Sequence, residues 1–173
     1  VVDFTMKRLD TLELYPYKKL FNHNLASVMT AHMSIPKLEP NKKLPSSLSK
    51  KIVTDLLINR MGFKGLIITD GLNMKGAANY STSSEIDLAA ILAGNDILLI
   101  PQDVPGTVNL MKSALNSGQL TEDRLDASVK KILKAKYKVG LANYEPIGIY
   151  NLEKKQFAWP GSSATRLSAN TDK

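Results

Sequence analysis

Two polar residues stand where short apolar runs end. Asp70 follows Leu66-Ile67-Ile68-Thr69, and His32 lies just beyond a run ending at Thr30, in Thr30-Ala31-His32-Met33. A carboxylate can serve as nucleophile or general base, and an imidazole can hold or move a proton near neutral pH. In parallel α/β folds the reactive groups gather at the C-terminal ends of strands. Two polar residues at equivalent strand ends would therefore point into one crevice. Each also has a purely structural explanation, since a strand-end Asp often caps the next helix and a lone His often donates to a backbone carbonyl. Gly71, directly after Asp70, suits a tight turn. Met29, Met33, Met61 and Met74 read as packing residues, with Met74, beside Asp70, the one that could also border a site.

Other chemistries are absent from the sequence. The only histidines are His23 and His32, so there is no HExxH and no His-rich metal site. There is no cysteine, which excludes a disulfide framework and thiolate metal sites. No GxGxxG or GxxxxGK[ST] follows a strand, and no GxSxG marks a serine nucleophile elbow.

The elements that must position Asp70 and His32 can be read from periodicity. Leu25–Thr30 reads as a buried strand. Pro45-Ser46-Ser47 opens a helix with apolar positions Leu48, Ile52, Val53, Leu56, Leu57 and Met61, and Gly62 suits its C-cap. Leu66–Thr69 is a second strand, apolar throughout as in a parallel sheet covered by helices. Thr82-Ser83-Ser84-Glu85 has capping-box form and leads into Ile86–Ala93, ended by Gly94. Ile97–Ile100 is a third strand stopped by Pro101. Asp103 and Pro105 open a helix to about Asn116, with Gly118 behind it. Thr121 begins a last helix with an apolar face of Leu125, Val129, Ile132, Leu133 and Tyr137, closed by Gly140. This β-α-β-α-β-α-α series is α/β with a parallel sheet. Three strands are too few for a closed (β/α)₈ barrel, and a small doubly wound sheet is the structural alternative. Residues 145–173, rich in Pro, Gly, Ser, Thr and Asn, read as an irregular tail or linker after a domain at 1–144.

The chain has 173 residues, enough for one sizeable core. No apolar run approaches the roughly 20 residues of a membrane span. No secretory signal is visible, and the start at Val1 without Met leads us to expect a piece of a longer protein. The net charge of +7 raises the question of nucleic acid or an anionic polymer. Yet Lys130, Lys131, Lys134, Lys136 and Lys138 interleave with Val129, Ile132, Leu133 and Tyr137, as on the solvated side of an amphipathic helix. No nucleic-acid partner is expected.

Five segments, in order, resemble glycoside hydrolase family 3. Gly62-Phe63-Lys64-Gly65 and Leu66 to Met74 resemble its nucleophile segment, G-[FY]-x-G-[apolar]₃-[ST]-D-x-x-x-M. Val28-Met29-Thr30-Ala31-His32-Met33, with Pro36, resembles its sixth strand. Leu44-Pro45-Ser46-Ser47-Leu48-Ser49 resembles the following helix start. Ala93-Gly94-Asn95-Asp96-Ile97-Leu98-Leu99 resembles its eighth strand, and Glu13-Leu14-Tyr15-Pro16-Tyr17 its E-L-x-P-F segment. The matches span about residues 9–141, nearest to bacterial β-N-acetylhexosaminidases.

The resemblance implies about the last three βα units of a (β/α)₈ TIM barrel and a retaining glycosidase without metal or organic cofactor. It implies Asp70 as the nucleophile, forming a glycosyl-enzyme intermediate. It places His32 at the pocket wall, holding sugar hydroxyls, and Asn73 and Met74 beside the same pocket. The substrate implied is a β-linked N-acetylglucosamine glycoside, with β-glucosidase or β-xylosidase as the alternative within the family and a non-catalytic half-barrel fragment as the alternative outside it. The family's acid/base loop, resembling K-H-F-P-G-H-G-x-T-x-x-D-S-H, is absent. The expected partner is thus the missing N-terminal half of the barrel, without which the chain is expected to be inactive. The compartment, bacterial cytoplasm or cell envelope, is left open.

Overall fold

The computed structural model describes residues 1–143, so the expected tail at 145–173 lies outside the described residues. Two compact units are distinguished, Val1–Ile132 and Leu133–Lys173. The sheet, the candidate site and the helices up to Ile132 lie in the first. Among the described residues of the second are the end of the last helix and a 3₁₀ turn at Leu141–Asn143.

Three parallel strands, β1 (Ser27–Thr30), β2 (Leu66–Gly71) and β3 (Ile97–Leu99), form a sheet in the order β1-β2-β3. The α/β reading with a parallel sheet is therefore observed. In β1 and β2, Ser27 pairs with Leu66 and Thr30 with Thr69, while β2 and β3 shift register between Ile68 and Gly71. β2 extends further than its apolar run suggests: Asp70 and Gly71 are part of the strand rather than the loop after it. β1 begins at Ser27 rather than Leu25. At the end of β3, Ile100 takes a left-handed conformation, φ 52°, ahead of Pro101. That conformation is rare for a β-branched residue.

Before β1 the chain forms helices that the apolar pattern did not suggest: α1 (Met6–Arg8), a π-helical segment at Leu9–Glu13 and α2 (Tyr15–Phe21). After β1, Pro45 opens only a 3₁₀ turn, Ser46–Leu48. The expected helix starts later and is a π-helix, Lys51–Arg60. Beyond β2 lie a helical turn, α3 (Lys75–Ala78), and then α4 (Ser83–Ala93), whose capping box forms as expected. The Glu85 carboxylate accepts from the Thr82 N–H at 3.2 Å and the Thr82 hydroxyl at 2.7 Å. α5 (Val104–Asn116) is capped by Asp103, and α6 (Glu122–Lys138) follows. Along α6, Leu125 and Ile132 are half-buried but Val129 is exposed. No helix among the described residues is long and apolar enough to cross a membrane.

The helices cover one face of the sheet. Ile67 of β2, fully buried, packs with Val53, Phe63 and Ala93, and Val28, Phe21 and Leu25 close over them. A second cluster joins Leu48, Leu72, Ala77, Ile86 and Ala90, and a third joins Ile91, Ala114 and Leu120. Side chains alternate along a strand, so Leu66, Ile68 and Asp70 turn to the opposite face. That face is open: Met29 is 56% exposed and Leu99 37%. Covering on both sides, expected from the apolar strands, is thus not what the described residues provide.

Two buried polar residues at the head of β3 tie these layers together. The Asp96 carboxylate accepts from the Ile67 N–H at 3.0 Å, from Lys131 Nζ at 3.0 Å and from the Ser128 hydroxyl at 2.5 Å, with Arg124 at 3.7 Å. Lys131 is therefore not on the solvated face assigned to it with the other lysines. Asn95 accepts from the Thr30 hydroxyl and donates to the carbonyls of Ser47 and Ala90, each at 2.8 Å. Removing one member of a buried charge network leaves the others uncompensated. Asp96→Ala is expected to cost about 3–5 kcal/mol, measured by urea denaturation. A loss too small to resolve would mean that the cations rehydrate freely.

Asp87 presents the opposite situation. It is buried, one of its oxygens has no partner, and the other lies 2.6 Å from the Thr107 hydroxyl. That hydroxyl also faces the Asp103 carbonyl at 2.7 Å, and its single proton cannot serve both acceptors. A protonated Asp87 donating to Thr107, which then donates to Asp103, resolves the conflict. Burial pushes the Asp87 carboxyl above its ordinary range, against the Thr107 bond and with help from the nearby Asp103 charge. A carboxyl raised on folding stabilises the fold below its unfolded pKa, and that contribution disappears as pH rises through the raised value. Asp87→Asn keeps a donor toward Thr107 at every pH. It is expected to raise stability by about 1–2 kcal/mol at pH 8 and by much less in acid, followed by thermal melts across pH.

Candidate active site

Asp70 sits near the C-terminal end of β2, the central strand, half-buried on the open face. β2 ends here with Gly71, and a turn brings the Met74 N–H to the Gly71 carbonyl at 3.0 Å. The Gly71 N–H donates to Asp70 Oδ1 at 2.8 Å. Among the described residues this is the one hydrogen bond to the Asp70 side chain. Its second oxygen has no hydrogen-bond partner among the described residues.

His32 follows β1, the neighbouring parallel strand, so the two residues do occupy equivalent strand ends. They are not in direct hydrogen-bond contact. His32 Nε2 lies 3.0 Å from the Gly71 carbonyl, and Nδ1 lies 2.6 Å from the Ser47 hydroxyl. The carbonyl only accepts, so Nε2 carries the proton; in the neutral ring Nδ1 accepts from Ser47. His32 therefore meets Asp70 through one residue, Gly71, and both of its nitrogens are already engaged within the protein.

Ser47, which engages it, belongs to the 3₁₀ turn, and Ser46 beside it ties that turn to the backbone on either side of His32. The Ser46 hydroxyl donates to the Ala31 carbonyl and accepts from the Met33 N–H at 3.0 Å, while the Ser46 N–H donates to the Met33 carbonyl at 2.8 Å. Ser49 donates to the buried Glu39 at 2.8 Å. Burial opposes ionisation of Glu39, but Ser49, the Asn41 N–H and Lys51 together hold its carboxyl below the usual range.

Asn73 and Met74 lie exposed on the turn after Gly71 and fold back over it. A Cβ at Gly71 would stand 2.9 Å from Asn73 Oδ1 and 3.6 Å from Met74 Cγ. Only the end of the exposed Asn73 side chain would have to move, and the backbone of Gly71 is not left-handed, so neither space nor conformation demands a glycine at this turn. Gly76 approaches His32 just as closely: a Cβ there would be 2.8 Å from His32 Cβ. The structure therefore brings His32, Asn73 and Met74 against Gly71, the residue after Asp70, while the Asp70 side chain turns to the open face and the His32 ring meets buried Ser47. Sequence reasoning missed Ser47, Gly76 and Asn95 as parts of this arrangement. Pro45-Ser46-Ser47 signals only the opening of a helix, and nothing local to Asn95 points to a tie with Ser47 and Thr30.

An apolar cavity of about 430 Å³ lies elsewhere, with Val2, Phe4, Leu9, Met29, Ile52 and Leu56 among its walls. None of the four candidate residues lines it. It flanks β1, whose one partner strand among the described residues is β2.

Residues 1–135 match the family model described as the glycosyl hydrolase family 3 N terminal domain. A "Beta-N-acetylglucosaminidase/beta-glucosidase" of Cellulomonas fimi is 29% identical over 133 residues, which are 72% of this chain and 24% of that protein. A "Beta-hexosaminidase" of Chromobacterium violaceum is 34% identical over 113 residues, covering 65% of this chain and 30% of the relative. The structure of a family 3 β-N-acetylglucosaminidase from Paenibacillus sp. str. FPU-7 superposes with a TM-score of 0.78 at 29% identity, over 87% of this chain and 29% of the other. The chain thus spans only about a quarter to a third of the length of these relatives.

The tightness around His32 generates a prediction. Gly76→Ala forces a methyl against the His32 Cβ and carbonyl, and overpacking of this kind costs about 1–3 kcal/mol. The His32 ring resonances should shift while those of His23 stay in place. Unchanged His32 resonances and stability would mean that the turn yields without strain.

Proposed function

Because the chain belongs to glycosyl hydrolase family 3, we propose that it supplies the nucleophile-bearing part of a retaining glycosidase, about the last three βα units of a (β/α)₈ barrel. The observation that carries the reading is the position of Asp70. Its carboxylate stands at the C-terminal end of the central parallel strand, with one oxygen held by the Gly71 N–H and the other free. The free oxygen attacks the anomeric carbon as the bond to the leaving oxygen breaks, giving a covalent glycosyl-enzyme. Water then releases the sugar. Asn73 and Met74, exposed over Gly71, border the sugar.

The partial barrel is supported by what is open. The face of the sheet that carries Asp70 lacks a covering layer, and β1 and β3 each pair with β2 alone among the described residues. An apolar cavity also flanks β1, an edge strand among the described residues. The remaining partner is the rest of the barrel, bringing the group that protonates the leaving oxygen. Its absence from this sequence argues that the 173 residues alone are inactive.

The substrate proposed is a terminal β-linked N-acetylglucosamine glycoside, in keeping with the names of the relatives. The Cellulomonas relative, named for both activities, keeps β-glucosides as the second reading.

Activity is the test. The chain alone should hydrolyse p-nitrophenyl β-N-acetylglucosaminide barely or not at all, since general acid–base catalysis is worth about 10²–10⁴-fold and positioning more. Joined to the upstream part of a family 3 barrel, it should turn over that substrate faster than the β-glucoside. Asp70→Asn in the joined protein should abolish turnover. Full activity of that variant would overturn the nucleophile assignment, and rapid turnover by the chain alone would reveal an unrecognised acid.

A further inference from the structure

The residue after the candidate nucleophile is a glycine, which has more backbone freedom than any other residue. Gly71 nevertheless donates to Asp70 Oδ1, so its position sets the aim of the carboxylate. Two lateral contacts restrain it. On the β3 side, the neighbouring Leu72 N–H donates to the Leu99 carbonyl at 2.9 Å. On the β1 side, His32 Nε2 donates to the Gly71 carbonyl at 3.0 Å. His32 is itself set by Ser47, a fully buried residue whose hydroxyl faces Nδ1 at 2.6 Å. Ser47 is held in turn by Asn95, also fully buried, through its carbonyl at 2.8 Å. Asn95 simultaneously receives the hydroxyl of Thr30, two residues before His32. One side chain thus fixes both the strand that carries His32 and the turn that orients it.

We propose that Ser47 and His32 are positioning residues that hold Asp70 in its attacking orientation through Gly71. The proposal rests on the reading of Asp70 as nucleophile. It departs from the expectation that His32 binds sugar hydroxyls, because neither ring nitrogen is left to do so. Ser47 contributes by selecting the tautomer: a hydroxyl donating to Nδ1 keeps the proton on Nε2, the only form of the neutral ring that can hold the Gly71 carbonyl.

The first arm of the test uses the chain itself, labelled with ¹⁵N-histidine. Two resonance pairs are expected, because only His23 and His32 are present. His32 should be the Nε2–H tautomer. His23, whose Nδ1 faces the Lys19 carbonyl at 3.0 Å, provides the contrast. Ser47→Ala should shift His32 toward a mixture and leave His23 unchanged. A His32 already mixed in the parent chain, or unaltered by Ser47→Ala, would overturn the relay.

The second arm uses the joined protein. His32→Ala should lower kcat about 10²-fold with little change in KM, as expected when a reacting group is misaimed and substrate binding is left intact. His32→Gln, whose amide nitrogen reaches the place of Nε2, should recover most of the rate. His32→Asn, which reaches only the place of Nδ1, should not. A rise in KM at constant kcat would identify a sugar-binding role and overturn the proposal, as would equal behaviour of the Gln and Asn variants. Asp70→Asn, assayed alongside, separates the two readings. If it is inactive while His32→Ala keeps its kcat, positioning alone fails; if it is active, the nucleophile reading fails and takes the relay with it.

Discussion

A buried carboxylate must be paired or it will not stay charged, and the Asp96 side chain is where this fold meets that constraint. Its partners come from two elements: the backbone of β2 at Ile67, and the hydroxyl of Ser128 and the cation of Lys131 on α6. The Asp96 N–H also donates to the Ile67 carbonyl at 2.7 Å, so β3 is registered on β2 by backbone and side chain at one residue. Arg124, also on α6, reaches across to the Asn95 carbonyl at 2.7 Å. A slip of register by one residue would leave a buried anion facing apolar side chains.

The neighbouring Asn95 extends the same constraint toward the candidate site. An amide both donates and accepts, and here both N–H donors and the oxygen are engaged, by Ser47, Ala90 and Thr30. Satisfied polar networks of this kind specify one arrangement, because any other leaves a buried group unpaired. The end of β1 and the 3₁₀ turn are consequently held to each other before His32 and Gly71 come into play. The tie on Gly71, next to Asp70, therefore runs back to polar residues at the end of β1, in the 3₁₀ turn and at the head of β3.

The open face of the sheet is the counterpart of this tight polar head. Met29 and Leu99 lie on it, and Met33, Met74 and Ile100 add further exposed apolar surface. Parallel sheets are ordinarily covered on both faces, and exposed strand edges invite pairing with other chains. The one-sided covering thus agrees with a chain that spans only part of the length of its relatives.

Much of this was legible in the chain. The three apolar runs, the capping box at Thr82 and Glu85, and the glycines behind the helices at Gly62, Gly94 and Gly118 mark local preferences that tertiary packing left in place. The order of five motifs sufficed for the family, while the position of Asp70 after an apolar run made it only a candidate, with a capping role equally open, until the resemblance implied a nucleophile. What the chain could not disclose depended on partners far away in sequence. The π-helical winding at Lys51–Arg60, the folding of Met6–Phe21 into helices and the withdrawal of Lys131 from solvent follow from packing and charge pairing, not from periodicity. His32 makes the difference plain. Its residue type and strand-end location could be read directly, and either a sugar contact or a backbone tie fitted them. Only the tertiary structure engaged its two nitrogens, because Ser47 and Gly71 stand 15 and 39 residues away and meet it only once the sheet is formed.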